Sequence, residues 1–112
     1  MSGRLTHDSL SLLRGLGDLY RRAGEPQRGL VLLLIGAQIA PEDPALLRSL
    51  ALAFTDSGNP ARALNALDRL QALGGSQTQD TLLRAKALWH KGEQAQARAC
   101  FQDYLALPKG RP

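Results

Sequence analysis

The chain has 112 residues, enough for one small domain that buries roughly two-thirds of the surface its unfolded form exposes. Apolar residues make up 44% of it, mostly Leu and Ala, while aromatics reach only 4%, a balance that predicts an all-α protein. A net charge of +4 with basic residues dispersed among acids argues against a nucleic-acid surface, and one Cys with two His leaves neither an intramolecular disulfide nor a zinc-ligand spacing.

The start, "MSGRLTHDSLSLL", lacks the apolar run and small-residue cleavage site of a secretory signal. Its longest apolar run, "GLVLLLIGAQIA" from Gly29 to Ala40, falls well short of the roughly 20 residues that span a bilayer. The expectation is a cytoplasmic chain with no metal, no cofactor and no direct membrane insertion.

Six helices follow in chain order, at about 8–23, 27–39, 44–57, 60–73, 78–91 and 94–106. The first carries Ser9, Ser11, Arg14, Asp18 and Arg21 around a set of leucines, and His7-Asp8-Ser9 before them reads as a capping region; adjacent residues cannot line up as a catalytic triad. The second is apolar nearly all round, as a helix sandwiched between neighbours would be. Asp43-Pro44 and Asn59-Pro60 open the third and fourth, each pairing a cap acceptor with a proline at the first helical position. Ser76-Gln77-Thr78-Gln79 has capping-box spacing before the fifth. Cys100, in the sixth, reads as a small buried apolar group.

Between these helices the stretches "RRAGEPQRGL", "TDSGNPARAL" and "WHKGEQAQAR" place Gly24, Gly58 and Gly92 at a constant spacing of 34 residues. Each glycine falls where a helix ends and can take the left-handed conformation of a C-terminal cap, so each marks the corner of a helix hairpin. No glycine stands in a phosphate-loop context, and no enzymatic activity is expected.

The pattern resembles the tetratricopeptide (TPR) family. In repeat one, Leu13, Leu16, Gly17 and Tyr20 fall at the first-helix motif positions, and Gly29, Leu33, Gly36 and Pro41 follow in the second helix and its exit. Repeat two matches with Leu47, Leu50, Ala51, Phe54, Gly58, Ala63 and Leu67 but has Leu70 and Gly75 for the last Ala and Pro. Repeat three keeps Ala85, Leu88, Gly92, Ala97 and Phe101 and departs at Thr81, Arg84 and Tyr104, with Pro108 one residue early. The resemblance implies a right-handed solenoid of three hairpins in one domain spanning the whole chain, with repeats at about 10–43, 44–77 and 78–109. Gly17, Ala51 and Ala85 then lie where the helices of each pair approach most closely.

TPR domains bind partners on a concave face lined by first helices. Carried over by register, that face would present Arg14, Asp18 and Arg21 from repeat one, Arg48, Leu52 and Thr55 from two, and Leu82, Lys86 and Trp89 from three. Trp89, the only tryptophan, either anchors a partner or folds back over its own hairpin. Arg14, Arg48 and Lys86 either clamp a carboxylate or form a solvated face. On the last helix Phe101, Tyr104, Leu105 and Leu107 have the spacing of a face awaiting another helix, so they either pack inward or form a second partner surface.

In length, in "LLRGLGDLYRRAGEPQRGLVLLLIGAQIAPEDP" and in "GEQAQARACFQDYLALPKG", the chain also resembles the YscY-type chaperones of bacterial type III secretion systems. That resemblance implies a heterodimer with a dedicated early-secreted YscX-type partner and engagement of the inner-membrane export gate, without ATP. The alternative is a scaffold or cochaperone domain binding short peptide segments. The "MSG" start and "PKGRP" finish make a self-contained unit the expectation over a fragment of a longer array.

Overall fold

The structure, a computed structural model, describes residues 2–108 and the side chains of residues 7–108; the chain's "MSGRLT" start and its "KGRP" finish therefore lie outside the described side chains. Six helices make up the described residues: α1 (Ser2–Arg22), α2 (Pro26–Ile39), α3 (Pro44–Asp56), α4 (Pro60–Ala72), α5 (Gln77–Lys91) and α6 (Gln94–Ala106), with no strand among them. Five of the six follow the expected bounds within a residue or so. The exception is α1, which begins at Ser2, so that His7, Asp8 and Ser9 sit inside the helix and cap nothing.

The corners form as their glycines predict. Gly24, Gly58 and Gly92 have φ of 86°, 86° and 92°, and at each the next N–H donates to the carbonyl five residues back: Glu25 to Tyr20, Asn59 to Phe54 and Glu93 to Leu88. This pairing releases carbonyls that a helix end otherwise strands. Gly74, with φ 79°, makes a fourth such corner after α4, where the Gly75 N–H donates to the Leu70 carbonyl. Helix starts are less uniform: the Asp43 carboxylate accepts from the Leu46 N–H at 2.9 Å and the Ser76 hydroxyl from the Gln79 N–H at 3.3 Å, whereas the Asn59 side chain makes no capping bond.

Helices adjacent in sequence pack in pairs, α1 with α2, α3 with α4 and α5 with α6, and the pairs stack through α2 on α3 and α4 on α5. In the first pair the crossing is a glycine-glycine contact. A Cβ on Gly29 would collide with the Gly17 carbonyl oxygen, and one on Gly17 would lie 2.7 Å from Leu33 Cγ. Gly36 in turn faces Leu10, so residue numbers fall along α1 as they rise along α2 and the pair is antiparallel.

The core lies between the stacked pairs, with Leu33, Leu46, Leu67 and Leu70 fully buried, each contributing about 2 kcal/mol by transfer from water. Its axis is α3, which touches α1, α2, α4 and α5 and buries residues on nearly every side. The sandwiched helix is therefore α3, not α2 as the sequence suggested. Among the described residues only α1 and α3 cover α2, which buries Gly29, Leu33 and Gly36 and leaves Val31, Leu34, Ile35 and Ile39 between 39% and 59% exposed. An apolar circumference shows that a helix would gain from cover; it does not show that the chain supplies it. Among the described residues no helix is long and apolar enough to cross a membrane.

Candidate partner-binding cleft

The inner face of α1, α3 and α5 carries most of the residues that register assigns to a groove. Its charged members are largely paired with one another across repeats. Asp56, at the end of α3, accepts from Arg21 Nη1 of α1 at 3.4 Å and lies 3.6 Å from Lys86 Nζ of α5, so one carboxylate joins three hairpins. Arg48 of α3 donates to Asp80 of α5 at 2.8 Å, and Ser49 of α3 donates to Asp18 of α1 at 3.1 Å. Asp18 Oδ1 and Arg21 Nε face each other at 4.0 Å, too far for a hydrogen bond, and neither atom makes one.

These contacts change the meaning of several candidates. Arg48 and Lys86 already serve the protein's own carboxylates, so the three-residue carboxylate clamp with Arg14 is not assembled; Arg14 itself is half-buried. Thr55 does not line a groove. It is 3% exposed, and its hydroxyl donates to the Ala51 carbonyl at 2.8 Å within its own helix. Register gives Thr55 the same position as Arg21 and Trp89, but α3 is covered by α1 and by α5, and the middle copy of that position is closed over.

The apolar candidates converge. Leu52, Leu82, Leu83, Trp89 and Phe101 line an open cleft of about 590 Å³ between α3, α5 and α6, floored by Ala85 and Ala97, in which Lys86 and Arg98 are the only charged residues among those described. Trp89 is 52% exposed and Phe101 44%. The Trp89 ring thus remains accessible, and the groove and the last helix, two separate surfaces in the sequence, are one wall here. Tyr104 stands outside the cleft and supports it, its ring stacked on Phe101 with centroids 5.7 Å apart. Leu105 is 52% exposed beyond it, and Leu107 is half-buried. A smaller cleft of about 270 Å³, edged by Asp18, Arg21, Arg48 and Ser49, shares Leu52, Leu82 and Leu83 with the larger one and continues it toward α1.

Leu83, Arg98 and Asp56 were not anticipated from sequence. Leu83 and Arg98 lie off the first-helix register, Leu83 on α5 where it packs against the core and Arg98 on α6. Asp56 did leave a signal, because an acid in the last turn of a helix opposes the macrodipole and calls for cations nearby.

On the far side of α5 and α6, Cys100 donates its thiol to the Thr81 carbonyl at 3.3 Å beside a cleft of about 500 Å³. Burial, reinforced by Asp103 and opposed by Arg84, raises its pKa above the ordinary thiol value. Among the described residues no cluster of three or more His, Cys, Asp or Glu side chains is placed to hold a metal ion. No protein-family model matches the chain, and no curated protein matches it.

Proposed function

We propose that the chain is a three-repeat TPR chaperone of the YscY type, without enzymatic activity, that holds a dedicated YscX-type secreted partner in a heterodimer. The cleft is the observation that carries this reading. An apolar, open trough walled by Trp89 and Phe101 accepts the i, i+3, i+4 face of an amphipathic helix, and the two flanking cations favour acidic residues beside the apolar anchors. The 34-residue period and the paired helices support the TPR assignment. Such a chaperone works by covering a segment that would aggregate if left in water. It would act in the cytoplasm and at the inner membrane through the export gate, with no membrane insertion, no nucleic acid and no cofactor.

The self-paired cations weigh against a scaffold that clamps free carboxyl termini, since a ligand would first have to displace Asp56 and Asp80. The test is purification from the native host followed by identification of any protein recovered in equal amount, repeated with Trp89→Ala. The proposal expects one dominant partner and a loss of about 2 kcal/mol or more in its affinity on truncation of the anchor. Weak binding of many short peptides, or affinity unchanged in Trp89→Ala, would contradict it.

A further inference from the structure

The stack has an open apolar face at its other end. Solenoid ends need a polar outer surface to remain soluble as single copies. Here α1 exposes Leu12 at 62%, Leu16 at 36% and Leu19 at 60%, and α2 exposes Val31 at 59%, Ile35 at 47% and Ile39 at 39%. Both sets repeat at helical spacing. The sides of α1 and α2 turned toward α3 are occupied by Leu10, Leu30, Gly36, Ala37 and Ala40, so the two exposed stripes share the outer side of the first hairpin.

We infer that this outer face is a homodimer interface, in which two copies of the chain pack α1 and α2 against α1 and α2 around a two-fold axis. Three observations select a second copy as the occupant. The first is area: the six side chains expose on the order of 550 Å², at the top of the range for a monomer and most of the roughly 800 Å² per partner of a stable complex. The second is charge. A two-fold contact sets each residue near its own copy, which penalises any charge close to the axis, and α2 has none from Leu30 to Ile39. The two charges of α1 between Leu12 and Leu19 are Arg14 and Asp18, and Asp18 is turned inward to accept from Ser49 of α3.

The third is Gly15. A glycine inside a helix is unfavourable unless a neighbour needs the space. A Cβ on Gly15 would meet nothing within 4 Å in the single chain, so the protomer makes no use of the space. It stands among Leu12, Leu16 and Leu19, where a second helix crossing the face can approach the backbone. The opposite end of the stack carries the Trp89 cleft, so a dimer made this way leaves both clefts open and each copy can still form the proposed heterodimer through its own, the homodimer joining two such pairs. Dimerisation does not depend on what the clefts hold.

The experiment is sedimentation velocity on the full chain alone, from low micromolar to about 100 μM, with helicity checked by circular dichroism. The wild type should be a dimer. Leu12→Glu and Ile35→Glu should be folded monomers, with the dimer weakened about 100-fold or more, and Phe101→Glu at the cleft end should dimerise as the wild type does. Gly15→Ala, which helix propensity alone would favour, should weaken the dimer about tenfold. A wild type monomeric at the highest concentration, a dimer that survives both glutamates, or one abolished by Phe101→Glu would overturn the inference, and none of these outcomes bears on partner binding at Trp89.

Discussion

Gly29 and Gly36 are both buried on α2, but the atoms that crowd them differ in kind. A Cβ on Gly29 lands on the Gly17 carbonyl oxygen and 3.3 Å from the Arg21 amide nitrogen, both main-chain atoms of the facing helix. No rotamer change relieves that clash; α1 and α2 must part along their crossing, which also loosens Leu33 against Gly17. Overpacking that shifts backbone costs about 3 kcal/mol, and the helix propensity gained on replacing Gly with Ala returns about 1 kcal/mol. Gly29→Ala is thus expected to lose about 2 kcal/mol, or roughly 8 °C in Tm for a domain of this size.

Gly36 is different. Its added Cβ would meet Leu46 Cδ1 at 3.1 Å and Leu10 Cδ1 at 3.4 Å, the ends of flexible side chains that can yield by a few tenths of an ångström. The same propensity gain then offsets the crowding, and Gly36→Ala should melt within about 2 °C of the wild type. Thermal and urea unfolding followed by circular dichroism, at one protein concentration throughout, measures both. Equal melting points for the two variants would refute the close glycine crossing as the feature that sets the first hairpin.

Other substitutions address the remaining parts of the structure. Asp56→Ala removes the carboxylate shared by Arg21 and Lys86, for an expected loss of about 1 kcal/mol by urea unfolding that shrinks in 1 M salt; a loss independent of salt would contradict the network. Gly58→Val forces a β-branched residue into φ 86°, and its melting point should fall by several degrees. The Cys100 thiol, its pKa raised chiefly by burial, should react slowly with iodoacetamide at neutral pH and accelerate only above the ordinary thiol range. Because the folded state disfavours the thiolate, Cys100 should contribute to a fall in stability as pH rises above the unfolded thiol pKa, a contribution that Cys100→Ser should remove.

The hairpin frame was legible because its determinants are local. A proline at the first turn of α3 and α4 and a glycine at each corner act within a few residues, and the helices they bound appear where the sequence puts them. The start of α1 was misread because His7-Asp8-Ser9 has the composition of a cap without the backbone break that makes one. Burial was less legible, since it depends on the neighbours a helix acquires. Thr55, Arg21 and Trp89 share one register position yet are respectively closed over, ion-paired and open. In the cleft, Leu52, Leu82 and Trp89 could be found by adding the repeat period. Phe101 belongs with them only because α6 folds back beside α5, a relation between helices that spacing along one helix does not encode.

Occupation of the Trp89 cleft by a partner helix is tested most directly at Trp89 itself. As the only tryptophan, it gives one fluorine resonance when the chain is labelled with 5-fluorotryptophan. On adding the unlabelled partner recovered from the native host, the account predicts that this resonance shifts and loses its sensitivity to exchange of H2O for D2O, as an exposed ring becomes covered. A complex that forms while the resonance keeps its position and its solvent sensitivity would place the partner elsewhere and contradict the account.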